Sequence, residues 1–509
     1  MTGSRTKNAT RNILFGFVNR LVTLILPFIT RTLILTLLGA SFLGIGTLFN
    51  SILNFLSLAE LGVGSAIVYA MYQPIADGDT EKLCALLKYF RKLYRIIGLV
   101  ILSIGSLLIP FVPFLIKGDS PAGINIYLLY CAYLINSVIS YFFAGYRQSL
   151  LTAHQRSDIV SNVATITNLL VQFGQIFVLY LTKNFYAYAI VPLVGTLITN
   201  TINYYITKRK FPDVGCEGTI DSLTRTQINK KLTGLFGTKL NSIVVHSADI
   251  MVISAFLGLT LTAQYGNYYY IMNAVCAFIA IIFSSMTAGI GNKLVTESKE
   301  RNYELFKNLS FVNGWLVGWC SVCFLCLYEP FMKIWVGEEL CLGLPFVICL
   351  ILYFFVYEIQ RTTLTFKDAA GLWSQDKYRP YVSMIINVTS NLILVNFIGI
   401  YGIVVSTIIA FVVSLPWANY VLYKYLFHEQ AISNIVRMTK CFVITAIACV
   451  ATFFACYICP DGIWGILSRL GICLILPNFI FYVFWGRKKE FLFLKQLVAS
   501  SFKRFACKL

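Results

Sequence analysis

The sequence predicts an all-α polytopic membrane protein of about 14 transmembrane helices, arranged as two parallel six-helix repeats followed by two further helices. Three observations carry that expectation. Hydrophobic residues make up 58% of the 509-residue chain and charged residues only 12%, with a mean hydropathy of +0.74. No soluble core buries that much apolar surface. Polar stretches cut the chain into long apolar segments, with nearly all Lys and Arg in alternate connections. The second half also echoes the first at an offset of about 220 residues.

In chain order the apolar segments run near residues 12–37, 42–71, 90–116, 123–146, 159–182, 185–207, 233–257, 262–290, 308–329, 342–363, 379–398, 400–426, 437–459 and 463–485. Each can span a hydrocarbon slab of roughly 30 Å, the longer ones by tilting or kinking. The first is too long for the apolar region of a cleavable signal peptide and lacks a cleavage pattern, so it is expected to remain as a helix. Pro27, Pro192, Pro416 and Pro477 interrupt apolar segments, and Gly62 and Gly64 follow Glu60 in the second. These positions permit kinks or hinges.

With the amino terminus placed in the cytoplasm, 34 of the 41 Lys and Arg fall in cytoplasmic segments. The outer turns hold only Lys117, Lys183 and Lys333. That asymmetry orients the chain with both termini cytoplasmic. The formal charge of +19 is spread over all the cytoplasmic segments rather than gathered on one domain. Topology and attraction to anionic membrane lipids account for it, and nucleic acid is not expected as a partner.

The repeat is weak by identity and consistent in order. Phe15 and Gly16 match Phe236 and Gly237, and LLG ending at Gly39 matches FLG ending at Gly258. Gln155 faces Gln375, Asn168 stands near Asn387, and NYYITKRKF at Asn203 matches NYVLYKYLF at Asn419. An even number of spans per repeat makes the halves parallel copies related by an axis along the membrane normal. The expected organisation is a bundle over 1–207, a cytoplasmic linker over 208–232, a second bundle over 233–427, and two appended helices with a basic tail over 428–509. Two such bundles can rock about a shared cleft, which points to a transporter.

Ionisable groups in hydrocarbon cost roughly 2.5 kcal/mol or more, so those kept there usually face a cavity or a partner. Arg20 and Arg31 lie eleven residues apart, on one face of the first span. Lys239, His246 and Asp249 share a broad face of the seventh, its counterpart. Arg20, Arg31 and Lys239 are therefore the candidate cations of a lumen for a phosphate-bearing ligand. Snorkelling of Lys239 and Arg31 to the interfaces is the structural alternative. Asp249 is a candidate for exchanging a proton or binding Na⁺, and Asn387 and Asn391, at i and i+4, could supply oxygen ligands to a hard cation. Hydrogen bonding between helices is the simpler role for the two asparagines. Glu358 and Arg361 are expected to pair at i, i+3, and Arg469 either binds lipid phosphate or pairs locally.

Fifteen cysteines include CxxCxxC at Cys320, Cys323 and Cys326 and CxxC at Cys456 and Cys459. Both sets sit in apolar spans without His or acidic companions, and a spacing of three is one packed stripe on a helix. Packing, rather than a metal, redox or disulfide role, is expected. No GxxxxGK[ST] sequence is present, so ATP is not expected as the direct energy source.

The opening stretch RTLILTLLGASFLGIGTLFNSILNFLSLAELGVGSAIVYAMYQPIADGD resembles the start of bacterial polysaccharide flippases of the Wzx type, in the multidrug/oligosaccharidyl-lipid/polysaccharide (MOP) exporter superfamily. The likeness extends over the whole chain. It implies a MATE/MOP-like, V-shaped pair of bundles in the bacterial inner membrane. The implied activity is alternating-access transfer of undecaprenyl-pyrophosphate-linked oligosaccharide repeat units to the outer leaflet, for O-antigen or capsule synthesis. It further implies a cationic cavity, mapped here onto Arg20, Arg31 and Lys239, and coupling to Na⁺ or H⁺, mapped onto Asp249, with no other cofactor. A polysaccharide polymerase with its chain-length machinery stands as a further partner. The alternatives are an ion-coupled exporter of another substrate, a drug or lipid II, and a membrane-embedded polymerase or glycosyltransferase. The drug exporter should favour an acidic lumen, and the enzyme a larger charged outer loop than residues 329–342 provide.

Overall fold

Backbone polar groups in hydrocarbon must be satisfied within their own segment. The computed structural model describes residues 22–60, 63–118 and 120–496, and among these no strand forms. The first unit contains α1 (Val22–Leu37), α2 (Ala40–Leu56), α3 (Val63–Asp77), α4 (Thr80–Leu108), α5 (Ile126–Phe142), α6 (Gln148–Ala153), α7 (Ser157–Thr182), α8 (Phe185–Lys210) and α9 (Ser222–Leu257). Then follow α10 (Leu259–Thr296), α11 (Lys299–Val336), α12 (Leu344–Ile359), α13 (Arg361–Ala369), α14 (Arg379–Ile398), α15 (Ile400–Leu422), α16 (Ile432–Tyr457) and α17 (Ile463–Trp485).

Each apolar segment read from the sequence contains helix within the described residues. Among the described residues ten helical stretches are long and apolar enough to cross a membrane, and α5 with Gly145–Ala153 forms an eleventh, bent by 51°. The remaining three segments correspond to the shorter apolar helices Val22–Leu37, Ala40–Leu56 and Ile243–Leu257.

Two segments break where charge enters them. The second is divided into α2 and α3 by a 3-10 turn, Ser57–Glu60. There the half-buried Glu60 carboxylate accepts hydroxyl bonds from Tyr94 (2.9 Å) and Tyr141 (2.5 Å), so the charge is satisfied where the regular helix stops. The tenth divides at Gln360 into α12 and α13. Asn313 of α11 donates to two buried carbonyls at this break, Glu358 O at 2.9 Å and Ile359 O at 3.3 Å.

Prolines leave carbonyls that other helices collect. Pro192 frees the Tyr188 carbonyl, which accepts from Gln175 Nε2 at 3.4 Å. Pro477 frees the Cys473 carbonyl, which accepts from Trp319 Nε1 at 2.8 Å. These bonds tie α8 to α7 and α17 to α11.

Packing divides the chain into two units, Met1–Gly266 and Asn267–Leu509. In the first, Phe49 of α2 lies edge-on to Tyr130 and Tyr133 of α5, over a core that includes Leu86, Phe90 and Ile101 of α4. Gly98 and Gly105 let α4 approach α5, since a Cβ at either would meet Tyr141 or Leu134 at under 3 Å. In the second, Phe306, Phe366, Tyr423 and Phe427 form an aromatic knot at one end of α11 and α15. The sequence expectation sets a linker over 208–232. Of that stretch, Lys208–Lys210 finish α8 and residues from Ser222 begin α9, while Val214 and Ile228 are buried in the first core. Helix α9 packs along α2 and α3.

Candidate functional site

Two helix corners set the geometry of the polar site in the first unit. Gly39 joins α1 to α2 with φ 101° and ψ 171°, and Gly258 joins α9 to α10 with φ 96° and ψ 174°. Side-chain-bearing residues rarely adopt this backbone, so the matched LLG and FLG motifs build the same corner twice. Helix α2 approaches the second corner closely: a Cβ at Gly44 would lie 2.0 Å from the Leu259 carbonyl oxygen. The end of α9 is fixed further by Lys117 N donating to Ser254 O (3.0 Å) and Ser254 Oγ donating to Leu115 O (2.6 Å).

Between these corners sits Asp249, 1% exposed, accepting from the Tyr265 hydroxyl at 3.4 Å. The next residue, Gly266, stands beside Arg31 of α1: a Cβ there would be 3.2 Å from Arg31 Nη2. Arg31 is half-buried and acts electrostatically on Tyr188 of α8. The structure therefore brings Arg31 and Asp249 to the same short stretch of α10, with Tyr188 alongside. His246, half-buried, lies one turn before Asp249. An arginine and a carboxylate from separate helices, with phenols nearby, can hold an oxyanion and respond to a proton or cation.

The other sequence candidates lie elsewhere. Arg20 is outside the described residues. Lys239 lies on α9, ten residues and about 15 Å of helix from Asp249, and its side chain is outside the described residues. Asn387 and Asn391 are fully buried between α14 and α15. Asn387 Nδ2 donates to Thr407 Oγ1 (2.9 Å), Asn391 Nδ2 to Asn387 Oδ1 (3.4 Å), and Ser406 Oγ to Asn391 Oδ1. Their amides act as a polar seam between the two helices. Glu358 and Arg361 form the expected pair, bidentate at 2.9 and 2.5 Å, with the guanidinium over the Tyr357 ring. Arg469 pairs locally, with Cys459 O at 3.2 Å and Asp461 Oδ1 at 3.5 Å.

One cluster escaped sequence reading. Asp376 accepts from Lys367 Nζ (2.6 Å) and from Arg379 Nε (2.8 and 2.9 Å), and all three are nearly fully buried. Arg379 Nη1 also donates to Ser414 (2.8 Å). At the corresponding place in the first half, Arg156 pairs with Asp158 at 3.1 Å. The signal was present in the aligned stretches at Gln155 and Gln375, each with an Asp and an Arg within four residues.

No protein-family model matches the chain, and no curated protein does. Solved structures do. The lipid II flippase MurJ, in an inward closed conformation, matches with a TM-score of 0.68 at 16% identity, covering 93% of this chain and 99% of that one. An inward-facing multidrug resistance MATE family transporter of the MOP superfamily matches with a TM-score of 0.64 at 16% identity, covering 81% and 97%. A MOP superfamily transporter from Pyrococcus furiosus, described as having a binding pocket of reverse polarity, matches at 0.55 and 14%, covering 84% and 97%. Identities this low establish likeness of fold: this chain has the all-α, polytopic membrane fold of MATE and MurJ transporters.

Proposed function

We propose that this chain is a MOP-superfamily flippase. It moves undecaprenyl-pyrophosphate-linked oligosaccharide repeat units from the cytoplasmic to the outer leaflet of the inner membrane by alternating access, for surface polysaccharide synthesis. The observation that carries this reading is the extent of the fold likeness. A lipid II flippase covers 93% of the chain, where the MATE transporter above covers 81%. A repeat-bearing chain with two helices beyond the twelve thus resembles a lipid-linked substrate carrier along nearly all its length.

Arg31 supports an anionic head group as cargo. Its guanidinium lies beside Gly266 of α10 and can bind a phosphate oxygen pair in the bidentate manner lysine cannot reproduce. Arg20 and Lys239 complete the proposed cationic path. Asp249, buried at the same stretch of α10, is the proposed coupling group, gaining or losing a proton or Na⁺ as the helices rearrange. The chain is oriented with both termini in the cytoplasm, as its Lys and Arg asymmetry requires.

Complementation of a strain lacking the flippase tests this reading. Arg31→Ala is expected to reduce surface polysaccharide at least tenfold with the protein still in the membrane, and Arg31→Lys to restore only part of it. Asp249→Asn is expected to lower transport and abolish its dependence on the ion gradient. Wild-type polysaccharide from Arg31→Ala would remove the cationic-site reading.

A further inference from the structure

Three helices of the second unit bring thiols together. Cys326 of α11, Cys456 of α16 and Cys473 of α17 have their Sγ atoms within 4.8 Å of one another, and all three are buried. Cys323, one turn before Cys326, reaches hydrogen-bonding distance of Cys473. In the sequence the CxxCxxC run is a stripe on a single helix. What the fold adds is convergence: one cysteine from each of three helices, two of them from the pair that lies outside the repeat.

Each of the three stands four residues before a proline: Pro330, Pro460 and Pro477. Proline cannot supply the N–H that would bond the carbonyl four residues back. The Cys473 carbonyl accepts from Trp319 Nε1 (2.8 Å) and the Cys456 carbonyl from Cys459 N (3.2 Å). The helical ladder is interrupted at the thiols, and side chains and turns fix their places instead.

A cleft of about 370 Å³ reaches the cluster, lined among others by Cys326, Cys456, Glu329, Asp461 and Arg469. The Arg469 side chain is 11% exposed. Its Nη2 bonds Cys459 O and Asp461, but its Nη1 is buried and has no hydrogen-bond partner. The guanidinium therefore lines the same cleft as two thiols and brings a positive charge to it.

We propose that Cys326, Cys456 and Cys473 form a thiolate site for Zn²⁺. Three thiols lose their protons to water in the cleft as three S–Zn bonds form, with no change of oxidation state. The ion and three thiolates carry one net negative charge, which the Arg469 guanidinium offsets. Zn–S bonds of about 2.3 Å put sulfurs roughly 4 Å apart, within the spacing already present. The Cys323 thiol or a water from the cleft fills the fourth position. The metal staples α16 and α17 to α11.

The test loads the purified full-length protein, reduced and stripped of metal, with Zn²⁺ alone. One ion per chain is expected to survive dialysis in the wild type and in Cys131→Ser, and none in the Cys326→Ser, Cys456→Ser, Cys473→Ser triple variant. Co²⁺ in place of Zn²⁺ should give thiolate-to-metal charge-transfer absorption in the wild type only. The wild type gives a readout that does not depend on folding of the variant: Zn²⁺ should protect these three thiols from alkylation, mapped by peptide mass spectrometry. Unchanged alkylation, equal Zn²⁺ retention by the triple variant, or a disulfide within the trio that binds no Zn²⁺ once reduced would each overturn the proposal.

Discussion

Asp376 is buried between Lys367 and Arg379, and its value to the fold lies in what its removal would leave behind. Two desolvated cations without their carboxylate are costly, so Asp376→Asn is expected to lower stability by about 3 kcal/mol. The counterpart pair in the first half is wetter, with Arg156 31% exposed. Asp158→Asn leaves one partly exposed cation rather than two buried ones and should therefore cost less than Asp376→Asn. Thermal unfolding of both variants in the same detergent checks the contrast; equal losses would contradict it. Residues of this kind were poorly legible in the sequence. Lys367 and Asp376 sit in a polar connection, where solvated charge is the ordinary expectation, and only the packing of α13 and α15 shows that they are buried. Arg31 and Asp249 were legible because a charge in an apolar run demands explanation. That both reach Tyr265–Gly266 was not legible, since no local pattern encodes a contact between α1, α9 and α10.

At the scale of elements, side-chain caps at Asp79, Asn125, Asn184, Asp221 and Ser298 set the starts of α4, α5, α8, α9 and α11. Asp221 begins α9 by accepting from Thr224 N at 2.9 Å, and that bond holds its carboxyl below the usual range. A carboxylate so lowered stabilises the helix start at neutral pH and loses that effect as pH falls through its folded-state value. Amide protection factors over residues 222–226, taken against the intrinsic rate at each pH, should fall on acidification in the wild type, and the fall should be weaker in Asp221→Asn, whose cap does not titrate. The corner at Gly258 supplies a second check. Gly44→Ala places a methyl against the Leu259 carbonyl and is expected to cost about 1–3 kcal/mol, visible as a lowered melting temperature. An unchanged melting temperature would mean that α2 and α10 are not held together as closely as described. The sequence located these helices well because apolar length is a strong signal. It missed the break at Ser57–Glu60, where Tyr94 and Tyr141, on two other helices, complete the turn.

For the molecule as a whole, the repeat and the packing draw different lines. By sequence order the seventh span opens the second copy, and Gly39 and Gly258 share one backbone geometry. By packing, α9 and the start of α10 belong with the first unit. The segment that matches one half in sequence and packs on the other is where Asp249 lies. The fold class was readable from hydropathy, charge alternation and repeat because each is a property of whole segments. Ligand chemistry was not, because it rests on a few side chains brought together from distant segments and leaves no periodic mark on the chain.

The most direct test of the flippase reading is transfer itself. The purified protein, reconstituted in liposomes, is given an undecaprenyl-pyrophosphate-linked oligosaccharide placed in both leaflets, and the rate at which the inner pool becomes accessible to an external glycan-modifying enzyme is measured. The account predicts transfer at least tenfold faster than in protein-free vesicles, lost in Arg31→Ala. Transfer no faster than in protein-free vesicles, with movement of cationic dyes instead, would contradict it.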